Sequence, residues 1–441
     1  MNRLIVLVSA AALAFSSAFV TRAASGQIEV CQKAQDKSLP ENSSFGFLTP
    51  GLNGAVLFSG DLTNNHFVFE GRSQYFGQFD QALKSQGIHL VVAPLPTRTI
   101  VHPEMMDRSQ PSQAKYDVPA TRDNYRASLK RLSNMQVDSV DLLASALEFQ
   151  KTDAKTPLFF SRDNHWTTDG SRLFAQSVAQ QVAKSGALQG IKPIGFSNKL
   201  VNSLDTISWL AQALKRVCDL TIEPEKISIY ETSRVGGDLL GEDDYPVVLV
   251  GSSYSFEARY NFEGFLKELL QVNVLNAAIN AGGFNASLEG YLQSKAYADK
   301  KPKVIVWEFS TSAAPWEQTM LRELIPSVYG DCADSSAVLS GGSTVLNGPT
   351  SILKNSGAKV SGPQHFVSVK LSDKSILNFD LNLKFDDGKQ ETVKIVRSER
   401  IANEGQFFLK FADEFKGNLS EVVLTPRDGA QGTVSAKVCK I

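Results

Sequence analysis

Two short segments hold the residues that could do chemistry. In Val247-Val248-Leu249-Val250-Gly251-Ser252-Ser253-Tyr254-Ser255 an apolar, β-branched run ends in Gly-x-Ser, and a helical pattern follows from Asn261 to Leu270. That order puts a serine on a tight turn between a buried strand and a helix N-terminus, where backbone N–H groups and the helix dipole stabilise an oxyanion. Ser253 takes the apex of the turn, between Ser252 and Ser255. Well upstream, Asp163-Asn164-His165-Trp166 offers an imidazole with a carboxylate close by. These are the parts needed to orient and charge-balance a base: His165 would take the Ser253 proton, and Asp163 would hold the ring tautomer. Of the five histidines (His66, His89, His102, His165 and His365), His165 is the candidate base. The chemistry indicated is acyl transfer through a serine ester.

Other groups should gather at the same edge. Oxyanion donors would be the Ser253 N–H and a backbone N–H from Ala281-Gly282-Gly283, with Gly283 and Gly282 the positions proposed. The stretch from Pro96 to Pro103 follows a strand candidate, so Arg98 and His102 are candidate substrate contacts. Trp166 could pack a sugar face, and Tyr254 and Arg259 are cleft residues by position.

An α/β fold must position these groups. Strand candidates are Ala55–Phe58, Ile88–Ala93, Val137–Leu143, Val247–Val250, Val272–Leu275 and Val304–Phe309. They alternate with helix candidates Phe76–Gln86, Arg122–Leu132, Ser171–Lys184, Ser203–Val217, Asn261–Leu270 and Leu288–Ala298. Buried runs alternating with helices predict a mostly parallel sheet with helices on both faces. After Cys332 the texture changes to short alternating segments: Phe366–Leu371, Leu377–Phe385, Thr392–Val396, Phe407–Phe411 and Val422–Leu424. Asp387-Gly388 supplies a hairpin turn between two of them, and the pattern predicts a β-sandwich. The expected division is a signal peptide over 1–25, an α/β domain over 26–335 and a β-sandwich over 336–441.

The leader is read from Arg3, an apolar run from Leu4 to Val20 and small residues at Ala23, Ala24 and Ser25, the order of a cleaved secretory signal. Export makes the four cysteines interpretable as disulfides. Three pairings are possible; Cys31–Cys218 with Cys332–Cys439 is favoured because each bridge would close one domain. The second would stabilise by about 4–5 kcal/mol on chain entropy alone. With 441 residues, a net charge of −1 and a pI near 6.6, the chain argues against non-specific nucleic-acid binding and a polybasic membrane surface. No H-E-x-x-H, C-x-x-C or G-x-G-x-x-G is present, so neither a metal nor a nucleotide cofactor is indicated.

At these residues the chain resembles the SGNH-hydrolase-like periplasmic alginate O-acetyltransferases of exopolysaccharide assembly. Leu249 to Ser255 is similar to that family's Gly-Thr-Ser-Tyr-Ser segment, with Ser252 in place of threonine. Asn261-Phe262-x-Gly264, Tyr291-Leu292-Gln293-Ser294, Trp307-Glu308-Phe309 and Asp163-Asn164-His165-Trp166-Thr167 also match, across residues 31–330. The order Asp-His before Ser is that of the family. The resemblance implies a periplasmic enzyme with an SGNH-like domain, a C-terminal carbohydrate-binding β-sandwich and two disulfides. It implies that Ser253, His165 and Asp163 move acetyl groups onto polymer hydroxyls. The implied partners are an acidic polysaccharide, an acetyl-donor membrane protein and other proteins of polymer export and modification.

One departure stands out. All four tryptophans and every tyrosine lie at or before Tyr329, so the β-domain would have to offer charge, from Lys370, Lys394, Arg397, Arg400 and Arg427, rather than stacking surfaces. The rival readings are a polysaccharide acetylesterase using the same residues with water as acceptor, and a non-catalytic polymer-binding subunit of an export complex.

Overall fold

The computed structural model describes residues 28–441 except 66, 69–73, 237–243, 314–317 and 428–430; the expected signal peptide lies outside the described residues. Five strands, β1 (His89–Leu95), β2 (Asp138–Ser139), β3 (Val247–Val250), β4 (Val274–Asn276) and β5 (Val304–Ser310), form one sheet in the order β2-β1-β5-β3-β4. Every pairing is parallel, and every residue of β3 and β5 is buried, which explains why both read as continuous apolar runs.

Helices α1 (Gln74–Ser85), α2 (Val118–Asn134), α3 (Leu142–Thr152), α4 (Thr168–Ser185), α5 (Trp209–Cys218), α6 (Phe262–Leu270), α7 (Ala286–Leu292) and α8 (Gln318–Ser327) accompany these strands. Four of their starts carry side-chain caps. Asp117, Asp141, Thr167 and Ser208 each accept an N–H from the first turn of α2, α3, α4 and α5. Among the described residues no helix is long and apolar enough to cross a membrane.

Four expected elements come out differently. Val56–Phe58 pairs antiparallel with Leu48–Pro50 rather than joining the parallel sheet. The run Val137–Leu143 contributes only β2, because Asp141 caps a helix in its middle. The span Ser203–Val217 is half strand: Gly195–Thr206 pairs with Glu225–Val235 in a ribbon, and α5 starts only after Ser208. Its strand residues are largely exposed, so no buried alternation marked them. Leu288–Ala298 is broken where Ser294 caps a second short helix, Lys295–Asp299.

The C-terminal part is all β, as a sandwich of two antiparallel sheets. With β6 (Thr350–Lys354), β7 (His365–Leu371), β8 (Asn378–Phe385), β9 (Gln390–Val396), β10 (Gln406–Lys410), β11 (Leu419–Pro426) and β12 (Thr433–Lys440), one sheet runs β6-β11-β8-β9. The other runs Leu339–Ser340, β12, β7, β10, with Thr344–Val345 also on β12. Gly388, at a φ of 80°, makes the β8–β9 turn. Phe379, Phe385, Phe407 and Phe411 fill the space between the sheets. The α/β core is a separate apolar cluster around β1, β3 and β5.

Both favoured disulfides are present. Cys31–Cys218 covers a small apolar cluster of Val30, Phe45, Leu48, Val56, Leu210 and Leu214, and Cys332–Cys439 fastens the chain entering the sandwich to β12. Two buried ion pairs join the parts. Arg397, before which β9 ends, meets Glu289 of α7 at 2.8 Å, and Arg322 of α8 meets Glu391 of β9 at 2.6 Å while donating to Lys410 O.

Candidate active site

Ser253 follows directly from the end of β3. The buried strand stops at Val250, and Ser252 caps a one-turn helix, Ser253–Phe256, with its Oγ accepting from the Tyr254 N–H. The Ser253 side chain is half-buried, and its N–H meets no acceptor among the described residues. His165 Nε2 stands 2.8 Å from Ser253 Oγ, and His165 Nδ1 stands 2.8 Å from Asp163 Oδ1. With Nδ1–H donating to the carboxylate, Nε2 is left to accept the serine proton. Both His165 and Asp163 are buried. Burial pushes the Asp163 carboxyl up, but the imidazole, its hydrogen bonds and the nearby Arg98 together hold it below the usual carboxylate value. An ionised carboxylate here can balance an imidazolium, as general-base catalysis through a serine requires.

The loop bearing the pair is built by backbone bonds. Phe160 N–H donates to His165 O, Thr167 N–H donates to Leu158 O, and Phe159 and Trp166 form an isolated bridge. Gly170, in the first turn of α4, has no room for a side chain, since a Cβ would stand 2.0 Å from Leu158 O.

Arg98 is not a substrate contact. It is 1% exposed, and its guanidinium donates to Asp61 twice and to the carbonyls of Val56, Phe160, Ser161 and Asp163. It anchors the histidine loop from behind. His102 is also withdrawn: buried, it meets Glu104 at 2.9 Å and accepts the Leu158 N–H on Nε2. Trp166 is wholly buried against Phe262, Phe174 and Tyr254, so it belongs to the core and cannot offer a sugar platform.

Tyr254 too is buried, and its hydroxyl donates to Asn164 O and accepts from Asn164 Nδ2, tying the serine turn to the histidine loop. Arg259 remains half-exposed at the rim, where it donates to Thr206 Oγ1 and lies over the Tyr260 ring. Gly282 and Gly283 follow β4 in a loop that is tethered beside the serine turn by Ile279 N–H donating to Gly251 O. Gly283 has a φ of 68° and is exposed.

Four residues with no role assigned from sequence help build the site. Asn164 receives the Trp209 indole N–H, and Asn276 Nδ2 donates to Ser255 O. Tyr260 stacks on the His165 ring at 5.3 Å. Glu308, buried within β5, accepts from Ser252 and Ser255. In the sequence Glu308 shows as a lone acid inside an apolar strand, in the matching segment Trp307-Glu308-Phe309.

Residues 57–311 match the family model described as "SGNH hydrolase-like domain, acetyltransferase AlgX", and residues 331–441 match a C-terminal carbohydrate-binding module. The alginate biosynthesis protein AlgX of Pseudomonas aeruginosa is 30% identical over 369 residues, covering 81% of this chain and 76% of that protein. A solved structure of Pseudomonas aeruginosa AlgX superposes with a TM-score of 0.78 at 25% identity, covering 93% of this chain and 99% of that one. The O-acetyltransferase domain of Pseudomonas putida AlgJ gives a TM-score of 0.50 at 25% identity, over 60% of this chain and 91% of that one. An SGNH-like α/β domain and an appended carbohydrate-binding module are thus matched in one chain, and the chain belongs to the AlgX family of SGNH hydrolase-like alginate biosynthesis proteins.

Proposed function

We propose that this protein transfers acetyl groups, through an ester on Ser253, onto hydroxyls of an exported acidic polysaccharide, an alginate-like uronate polymer, in the periplasm. The observation that carries the reading is the continuous hydrogen-bonded line from Asp163 through His165 to Ser253, with 2.8 Å at each junction. In the first half-reaction Ser253 Oγ attacks the acetyl carbon of a donor while His165 Nε2 takes the hydroxyl proton. The donor's leaving group departs with that proton. In the second, His165 takes the proton of a sugar hydroxyl as its oxygen attacks the ester, and returns it to Ser253 Oγ as acetyl leaves. The Ser253 N–H, assisted by the loop of Gly282 and Gly283, would hold the oxyanion in both steps.

A cleft of about 590 Å³ between the two parts of the chain supports a charged polymer as acceptor. Lys295 from the α/β part and Arg400 and Glu404 from the sandwich line it, with Ser287, Gln293 and Tyr291 among its walls. Charge rather than stacking would dominate recognition. Six of the seven phenylalanines of the sandwich are buried and Phe415 is half-buried against Phe385. Of the basic residues expected there, Arg397 is buried in an ion pair and Arg427 pairs with Asp380; Arg400 and Lys394 are exposed.

Mass spectrometry of the tryptic peptide spanning Ser253, after exposure to an activated acetyl ester, tests the reading. The expected result is a single acetyl on Ser253, absent in Ser253→Ala, together with loss of polymer acetylation in cells carrying that variant. Undiminished polymer acetylation by a folded Ser253→Ala protein overturns it. Supplying oligosaccharide acceptor separates transfer from hydrolysis: transfer predicts acetylated sugar at the expense of free acetate.

A further inference from the structure

A buried carboxylate packs against the serine turn. We infer that Glu308 is a positioning residue that selects the Ser253 N–H as the oxyanion donor of the turn; the inference rests on the acetyl-transfer reading above and deepens it. Glu308 is 1% exposed, on β5 next to β3. Its Oε2 accepts the Ser252 N–H at 2.9 Å and the Ser255 hydroxyl at 2.8 Å, and its Oε1 accepts the Ser252 hydroxyl at 2.9 Å. Three donors therefore converge on one buried group, which must accept on both oxygens. Burial holds this carboxyl above the usual carboxylate value, although the three donors act to lower it.

Accounting for the amides shows what the arrangement achieves. The Ser252 N–H is claimed by Glu308, and the Tyr254 N–H by Ser252 Oγ. The Ser255 N–H and the Phe256 N–H both donate to Ser252 O. Only the Ser253 N–H in this run has no acceptor among the described residues. Because the Ser252 hydroxyl spends its proton on Glu308, its lone pairs face the Tyr254 amide. Glu308 thus engages one flanking amide directly and the other through the Ser252 hydroxyl, and leaves the central one free to donate.

Gly251 reports the same requirement. Its φ is not in the left-handed region, so backbone freedom does not explain it. A Cβ there would stand 2.6 Å from Glu308 Oε2 and 2.8 Å from Ser255 Oγ. The glycine of Gly-x-Ser is the space into which the carboxylate fits.

The experiment uses the full mature chain, 4-nitrophenyl acetate as acyl donor and the variants Glu308→Ala, Glu308→Gln and Ser253→Ala, with thermal unfolding alongside. Glutamine can keep the frame: its carbonyl accepts from Ser252 N–H and Ser255 O–H, and its amide donates to Ser252 Oγ. Glu308→Ala is expected to lower kcat for acylation by about 10²–10³-fold, the effect of losing one oxyanion donor, with KM little changed. Glu308→Gln is expected to recover most of that loss. A purely structural role moves the unfolding temperature without this kcat-only loss in the folded protein. Should Glu308→Ala fail to fold, Gly251→Ala displaces the carboxylate instead and is expected to show the same kcat-only loss. Wild-type kcat in folded Glu308→Ala or Gly251→Ala, or glutamine no better than alanine, overturns the inference. Absence of any Ser253 acyl-enzyme in the wild type sinks the acetyl-transfer reading itself, whereas a normal wild-type burst that Glu308→Ala reproduces sinks only this inference.

Discussion

Ser253 hangs from β3, a strand hydrogen-bonded to neighbours on both sides, whereas His165 sits in a loop closed by one isolated bridge of two backbone bonds. The serine side needs only a glycine and a buried acceptor to finish its turn. The histidine side borrows its rigidity from a guanidinium contributed by the far end of β1, which gathers three of its carbonyls. A strand end is thus positioned by the sheet, and a loop by the side chains that satisfy it. The loop is consequently the half that distant substitutions should reach.

The sharpest way to break that contrast is chemical. Asp163→Asn is expected to reduce Ser253 acylation by about 10³–10⁴-fold, because the amide favours the wrong imidazole tautomer. Single-turnover acylation of folded protein measures it, and a loss below tenfold would mean that the carboxylate does not orient the ring. Next in size is Arg98→Met, which strands the buried Asp61 carboxylate and four carbonyls. Loss of about 3–5 kcal/mol in urea unfolding is expected. Adding Asp61→Asn should restore part of it, and strict additivity of the two changes would dissociate the pair.

Away from the site, Glu289→Ala leaves Arg397 buried without its counter-ion, and a destabilisation of similar order is expected. Because the charge sits between the two parts of the chain, their unfolding transitions should separate in calorimetry while Ser253 acylation below the transition persists. The smallest effect is in pH. Asp163 titrates below its unfolded value of about 3.9, so its contribution is full above that value and is lost as pH falls through the folded one. The stability difference between wild type and Asp163→Asn should therefore shrink on acidification, and a difference that grows would reverse the sign.

Much of this was legible because period and chemistry agreed. The strands β3 and β5 show as unbroken apolar runs, since both faces of a parallel sheet are covered. The serine at the end of β3 and the aspartate–histidine pair stand out by type, and the disulfides by the economy of one bridge for each part. His102 shows where spacing fails: it has Glu104 as close in sequence as His165 has Asp163, and it does form that pair, but buried away from the serine. Arg98, Trp166 and Tyr254 were placed at the cleft because their segments emerge there. Position along the chain does not disclose which way a side chain turns, and all three turn inward. The ribbon of Gly195–Thr206 and Glu225–Val235 went unseen because its strands find their partners in each other rather than in a core, leaving no apolar alternation to read.

The two salt links that join sandwich to sheet have a mechanical corollary. Swinging one part away from the other would break the Arg322–Glu391 and Arg397–Glu289 pairs together. Such a swing is opposed by both pairs at once. On the acetyl-transfer reading, a glycan advancing past a site held in this way would carry, in the spacing of its acetyl groups, a record of how far it moves between turnovers.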